Sequence, residues 1–170
     1  MSELFENKIA ESGLISLNLE DFFPKEEVLV FDLKDFLFMG LILKEKNYRE
    51  ALQNYNWEKY RNKIVTIFCT ADAVVPMWAN MLAASYLQNV AQQILFGSEQ
   101  TAKEKILLNN IARINADDYK DQRIIVKGCG DIDMPVSAYV EITNKLRPVV
   151  KSLMFGEPCS TVPIYKRKEN

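Results

Sequence analysis

The chain has 170 residues, 48% hydrophobic and 26% charged, with a formal net charge of −2 from 21 Lys and Arg against 23 Asp and Glu. That is the make-up of a globular chain able to bury a core, and it offers no global basic field to attract nucleic acid. The absence of histidine removes the commonest general base, the commonest metal ligand and every Ser-His-Asp or Cys-His arrangement.

No apolar run reaches the roughly 18 residues of a membrane span. The opening Met1-Ser2-Glu3-Leu4-Phe5-Glu6 is neither a signal peptide nor an arginine-rich transit peptide. The expectation is a cytoplasmic protein of bacterial type with reduced thiols. Three cysteines are too few, and odd in number, for a disulfide framework. The basic cluster Lys166-Arg167-Lys168 reads as a solvated tail.

In chain order, residues 2–12 can form a short helix, capped by Ser2 and stopped by Gly13. Residues 14–19 alternate as a half-buried strand, and 28–33 read as a second strand. Residues 35–43 fit helix or strand, with Gly40 interrupting either. Residues 44–55 form an amphipathic helix carrying Tyr48, Ala51, Leu52 and Tyr55 on one face. A strong strand follows at 64–69. Pro76 opens a helix through about Asn89. Strand 94–96, a helix at 99–114 capped by Ser98, and a polar turn at 116–122 come next. The remainder reads as strand 123–127, helix 135–147, strand 150–155 and a cysteine-bearing tail.

The segment from Ile64 resembles the segment from Arg123. Moving residues 72–97 forward by 59 places Asp72 on Asp131, Pro76 on Pro135, Ala79 on Ala138 and Leu87 on Leu146. It also superposes Val90 on Val149, Phe96 on Phe155 and Gly97 on Gly156. Seven matches in 26 positions exceed the one or two, roughly, that background usage gives. A one-residue insertion in the loop would then place Cys69 on Cys129. Convergence of strand-loop-helix units on common patterns is the plainer explanation.

These signals predict an α/β fold in a single domain spanning 1–170. A mostly parallel sheet is built from two repeated β-α-β units with helices on both faces. Residues 64–165 form this repeated core and 1–43 an extension adding N-terminal edge strands. Strands 64–69, 94–96, 123–127 and 150–155 are expected side by side in one sheet, which puts their following loops on one carboxyl edge, where open α/β sheets bind ligands.

The candidate chemistry lies in those loops. Cys69 and Cys129 each follow a strand and precede a helix-opening proline, and a helix N-terminus favours thiolate. Gly128 and Gly130 flank Cys129, a pattern for a loop that bends closely around something. Cys159 sits in the proline-stiffened segment Gly156-Glu157-Pro158-Cys159-Ser160. Cys129 and Cys159 are the candidate metal-ligating pair, with Cys69 a third ligand. A thiolate-rich site without histidine suits zinc or an iron–sulfur species better than magnesium. The bland alternative is that all three are buried, inert thiols. Asp72, Asp131 and Asp133 are expected to cap the following helices, or else to act as hard ligands or acid–base groups. Neither G-x-G-x-x-G nor a P-loop is present. Trp57, Tyr60, Trp78 and Tyr139 read as core or interface aromatics.

Three runs, Lys127-Gly128-Cys129, Pro135 to Thr143 and Gly156 to Lys166, resemble an uncharacterised family from Bacteroidetes-type bacteria, domain of unknown function 2480. Leu43 to Lys46, Tyr48-Arg49-Glu50 and Ala71 to Pro76 fit it as well. The resemblance covers most of the chain, and the Cys159 segment is its most specific part. It implies no activity, but it implies a link to iron–sulfur assembly and to a protein partner there.

Two functional classes stay open. One is a thiol-bearing accessory or binding protein in iron–sulfur or sulfur handling, using metal or an iron–sulfur species. The other is a small-molecule module or enzyme whose loops cradle an anionic ligand on helix N-termini. No nucleic-acid or membrane partner is expected, and homo-oligomerisation and catalysis are left open.

Overall fold

The computed structural model describes residues 13–128 and 130–169. The helix expected at 2–12 and the residue Cys129 lie outside the described residues. Among the described residues, seven strands and four α-helices alternate, and the α/β class stands.

The sheet organisation differs from the single sheet expected. The strands form two sheets, one ordered β1 (Leu14–Leu17), β5 (Arg123–Val126), β6 (Ser152–Glu157), β7 (Ser160–Lys166) and the other β2 (Val28–Asp32), β3 (Ile64–Phe68), β4 (Gln93–Phe96). Each central strand has both sides occupied by its own partners, so β3 (Ile64–Phe68) and β5 (Arg123–Val126) are not neighbours. Continuous apolar runs specify burial on both faces but not which strand lies alongside. The chain folds as two compact units. Unit 1 is the chain up to Phe23 together with Ile106 onward, and unit 2 is Pro24–Lys105.

In unit 2, β3 lies between β2 (Val28–Asp32) and β4 (Gln93–Phe96), all parallel. Its one polar residue in the buried stretch, Thr66, is fully buried and donates its hydroxyl to the Gly97 carbonyl at 2.7 Å. Helices α1 (Glu45–Gln53) and α2 (Met77–Leu87) supply Tyr48, Leu52, Ala79, Ala83 and Leu87 to the core. The buried Tyr48 hydroxyl donates to the Ala79 carbonyl at 2.9 Å, and burial pushes its phenol well above the ordinary tyrosine value. The ambiguous stretch 35–43 is neither helix nor strand. A 3-10 turn at Leu33–Phe36 leads into a tight reversal in which Phe38 and Ile42 bridge across Met39 and Gly40. Both tip residues have positive φ, 52° and 70°, which explains the glycine.

In unit 1, β5 lies between β1 (Leu14–Leu17) and β6 (Ser152–Glu157), again parallel. The segment expected as a tail instead turns at Pro158-Cys159 and returns as β7 (Ser160–Lys166), antiparallel to β6. The proline within β7 is compatible with this edge position: Pro163 sits beside a register shift, where the missing N–H costs little. Helices α3 (Glu99–Ala112), through Leu107 and Ile111, and α4 (Val136–Leu146), through Ala138, Ile142 and Leu146, pack the core.

The repeat read from sequence extends through most of both units. Ile64 pairs with Gln93 as Arg123 pairs with Ser152, each 59 residues on. Fully buried Tyr48, Leu52, Ala79 and Leu87 have Leu107, Ile111, Ala138 and Leu146 in the same places. Asn62 and Asp121 share a positive φ, 56° and 59°, and Gly97 and Gly156 share 121° and 120°. The spacing from strand start to helix start is the same in both units, Ile64 to Met77 and Arg123 to Val136, so no insertion is needed. Cys69 therefore corresponds to Gly128, not to Cys129.

Candidate functional site

A cavity of about 840 Å³ opens at the carboxyl edge of the parallel strands in unit 1. Its walls come from the residues just past β1, the loop after β5, the first turns of α4, the end of β6 and Ile164 of β7. Residues distant in sequence meet here because the carboxyl ends of parallel strands share an edge.

The chain leaves β1 through a 3-10 turn, Leu19–Phe22, whose first N–H groups are met by Asn18: its Oδ1 accepts from Glu20 N at 3.1 Å. The turn aims Glu20 at the loop after β5. There its Oε1 accepts the Ile132 N–H at 2.8 Å, across 112 residues of sequence. Two glycines make this approach possible. A Cβ on Gly130 would overlap the Glu20 carboxylate, and one on Gly128 would lie 2.5 Å from Cζ of Phe155. The Phe155 ring meets Tyr139 edge to face, with centroids 5.6 Å apart at 75°. The Thr143 hydroxyl donates to the Tyr139 carbonyl at 2.7 Å, which closes the α4 wall. Lys127, half-buried, also lines the cavity; its backbone N–H donates to the Leu17 carbonyl at 2.9 Å. Its ammonium makes no ion pair among the described residues.

Of the residues singled out in the sequence, Gly128, Gly130 and Asp133 line this cavity. Asp131 is exposed in the same loop, and Asp72 is exposed in the corresponding loop of unit 2. The aspartates do not cap the helices. The N-caps are Pro76 and Pro135, and neither helix has a side-chain cap. Cys69 is half-buried against the unit 2 core, with its thiol donating to the Ala71 carbonyl at 3.6 Å. Cys159 is exposed at the β6–β7 turn. The expected approach of Cys129 to Cys159 falls outside the described residues. Among the described residues no group of three or more Cys, Asp or Glu could hold a metal ion.

Sequence reasoning missed Asn18, Glu20, Tyr139 and Phe155 as site residues. Only the glycine pair signalled them, by implying a close approach without saying to what.

The equivalent edge of unit 2 is built differently. Asp32, at the place of Asn18, accepts from Lys34 N at 3.0 Å, Thr70 N at 3.1 Å and Thr70 Oγ1 at 2.6 Å. Burial alone would raise its pKa. The hydrogen bonds from Thr70 and Lys34, with the Lys34 charge, outweigh that and hold the carboxyl below the ordinary aspartate value. Phe68 stands where unit 1 has Lys127, and Lys34 where it has Glu20.

The family model described as "Protein of unknown function (DUF2480)" matches residues 3–167, and the chain belongs to that family. No curated protein and no solved structure matches the chain.

Proposed function

We propose that this member of the family is a cytoplasmic binding module for a small organic molecule, taken up by the cavity at the carboxyl edge of unit 1. The observation that carries the reading is the cavity itself. At about 840 Å³ it falls within the roughly 300–1,000 Å³ of small-molecule sites. Its lining is mainly apolar, with a few polar groups placed by the backbone, which is the composition such sites use.

The test is a fragment titration followed by methyl resonances of Ile132, Met134, Ile142 and Leu153. At least one fragment should shift all four in the wild type. The half-buried lining residue Met154, replaced in Met154→Trp, should fill the cavity and abolish the response. Silent methyls, or an unchanged response in the filled variant, would remove the reading.

A thiol role in iron–sulfur or sulfur handling, with a protein partner from that machinery, is the second reading. It is favoured by the exposure of Cys159 after β6 and by the lining glycines on either side of Cys129 in sequence. Stoichiometric zinc or iron in purified protein, lost in both Cys129→Ser and Cys159→Ser, would carry this reading. Metal content unaffected by either substitution would end it.

A further inference from the structure

We infer that the cavity selects an amphipathic organic monoanion, an apolar acyl or aryl body bearing a single carboxylate, and that Lys127 reads its charge. The inference rests on the ligand-binding reading above and names the class of ligand.

Among the described residues, Lys127 is the one Lys or Arg in the cavity lining. It is half-buried and forms no ion pair among the described residues. A half-buried lysine on the wall of a mainly apolar cavity, with no ion pair among the described residues, favours an anion that brings its own apolar surface, since a charge-assisted hydrogen bond strengthens as water is excluded. Helix α4 adds to the preference: it has 11 residues, no side chain caps it, and its first residue, Val136, lines the cavity, so the positive end of its dipole lies at the wall.

Two carboxylates line the same cavity and set the limit on charge. Glu20 has one oxygen engaged by the Ile132 N–H and braces the loop. Asp133 is exposed. With Glu20 committed to the loop and Asp133 screened by solvent, Lys127 meets a single negative charge, and the two carboxylates repel a polyanion such as a nucleoside triphosphate. The apolar residues Ile132, Met134, Val136, Ile142, Leu153 and Phe155 supply the contact for the ligand body. Unit 2 isolates the signal, because the same sheet position there holds Phe68.

The experiment is calorimetric titration of the full chain with decanoate, decan-1-ol, decylammonium and ATP. Decanoate should bind at least about tenfold more tightly than the alcohol or the amine, the scale of one charge-assisted hydrogen bond, and ATP should not compete with it. Lys127→Met should erase the preference for decanoate while decan-1-ol still binds. Alcohol or amine binding as tightly as decanoate, ATP displacing it, or a preference that survives Lys127→Met overturns the monoanion inference and leaves the cavity reading standing. No binding of any decyl compound, together with silent methyls in the fragment titration, takes both down.

Discussion

Unit 1 and unit 2 share three parallel strands in the same register, yet they finish the carboxyl edge of the sheet differently. Unit 2 ties its first strand to the loop after its central strand through Asp32 and Thr70, and it fills the neighbouring position with Phe68. Unit 1 makes the corresponding tie one turn later, from Glu20 to Ile132, and places Lys127 and Gly128 beside it. Some surface features are common to both. Exposed Met77, Met81 and Phe96 correspond to exposed Val136, Val140 and Phe155, so exposed apolar residues at these positions do not distinguish the units. What distinguishes them is a handful of loop residues on a shared frame, and a site is argued from those residues rather than from the frame.

If the frame is shared, equivalent core truncations should cost equivalent amounts. Leu87 and Leu146 are both fully buried at the last turn of equivalent helices. Leu87→Ala and Leu146→Ala should each destabilise by about 2–5 kcal/mol, as lost burial adds to an unfilled cavity. Urea denaturation of the two variants checks this. A large loss in one beside less than about 1 kcal/mol in the other would break the equivalence.

The Asp32 clamp sharpens the comparison through pH. Its carboxyl is held below the ordinary value of 3.8 when folded, so its contribution is complete above that value. It is lost as pH falls through the lower folded value. Asp32→Asn should cost about 1–2 kcal/mol at neutral pH, from weakened hydrogen bonds to Thr70 and Lys34. The gap to wild type should narrow below about pH 3.8. Unit 1 has the non-titrating Asn18 here, so Asn18→Ala should show a gap without that acid-side narrowing. An Asp32→Asn gap equally wide at pH 3 and pH 7 would mean that charge plays no part in the clamp.

This duplication was legible in fragments. The strands at 64–69 and 123–127 and the proline-opened helices stand out because apolar runs and Pro76 and Pro135 are local signals. The partners of those strands do not stand out. Leu14–Leu17 must reach Arg123–Val126 past the whole of unit 2, and nothing in an apolar run names its neighbour. Strand β7 was hidden by Pro158 and Pro163 and by its largely exposed residues, which give no alternation of burial. At the site, Gly128, Gly130 and Asp133 were legible because glycines beside a helix-opening proline mark a constrained loop. Glu20 was not, because its partner Ile132 is fixed only by the fold.

The Glu20 tie can be tested by crowding it. Gly130→Ala places a Cβ on the Glu20 carboxylate and should break the bond to Ile132 N–H, at a cost of about 1 kcal/mol. In a Glu20→Ala background the same substitution should cost little, giving a coupling of about 1 kcal/mol in a double-mutant cycle. The corresponding pair in unit 2, Ala71 and Lys34, carries no such tie and should be additive within about 0.3–0.5 kcal/mol. Additivity at Gly130 and Glu20 would remove the bracing role given to Glu20.

The smallest effects belong to the thiols, and they separate packing from accessibility. Cys159 is exposed at a turn, whereas Cys69 is half-buried, donates to the Ala71 carbonyl and packs against the unit 2 core. Alkylation depends on thiolate access, so iodoacetamide followed by peptide mass mapping should label Cys159 well before Cys69. Cys159→Ser exchanges one exposed polar atom for another and should leave stability within about 0.5 kcal/mol. Cys69→Ser puts a more strongly hydrated hydroxyl against apolar neighbours and should cost somewhat more, about 1 kcal/mol. The hierarchy follows from where each thiol sits on the duplicated frame: one packs at the end of a central strand, and the other lies on the β6–β7 turn, in the hairpin that unit 1 adds. Equal labelling rates would mean that the loop after β3 opens readily enough to expose Cys69, and the packing of that thiol against the unit 2 core would not protect it.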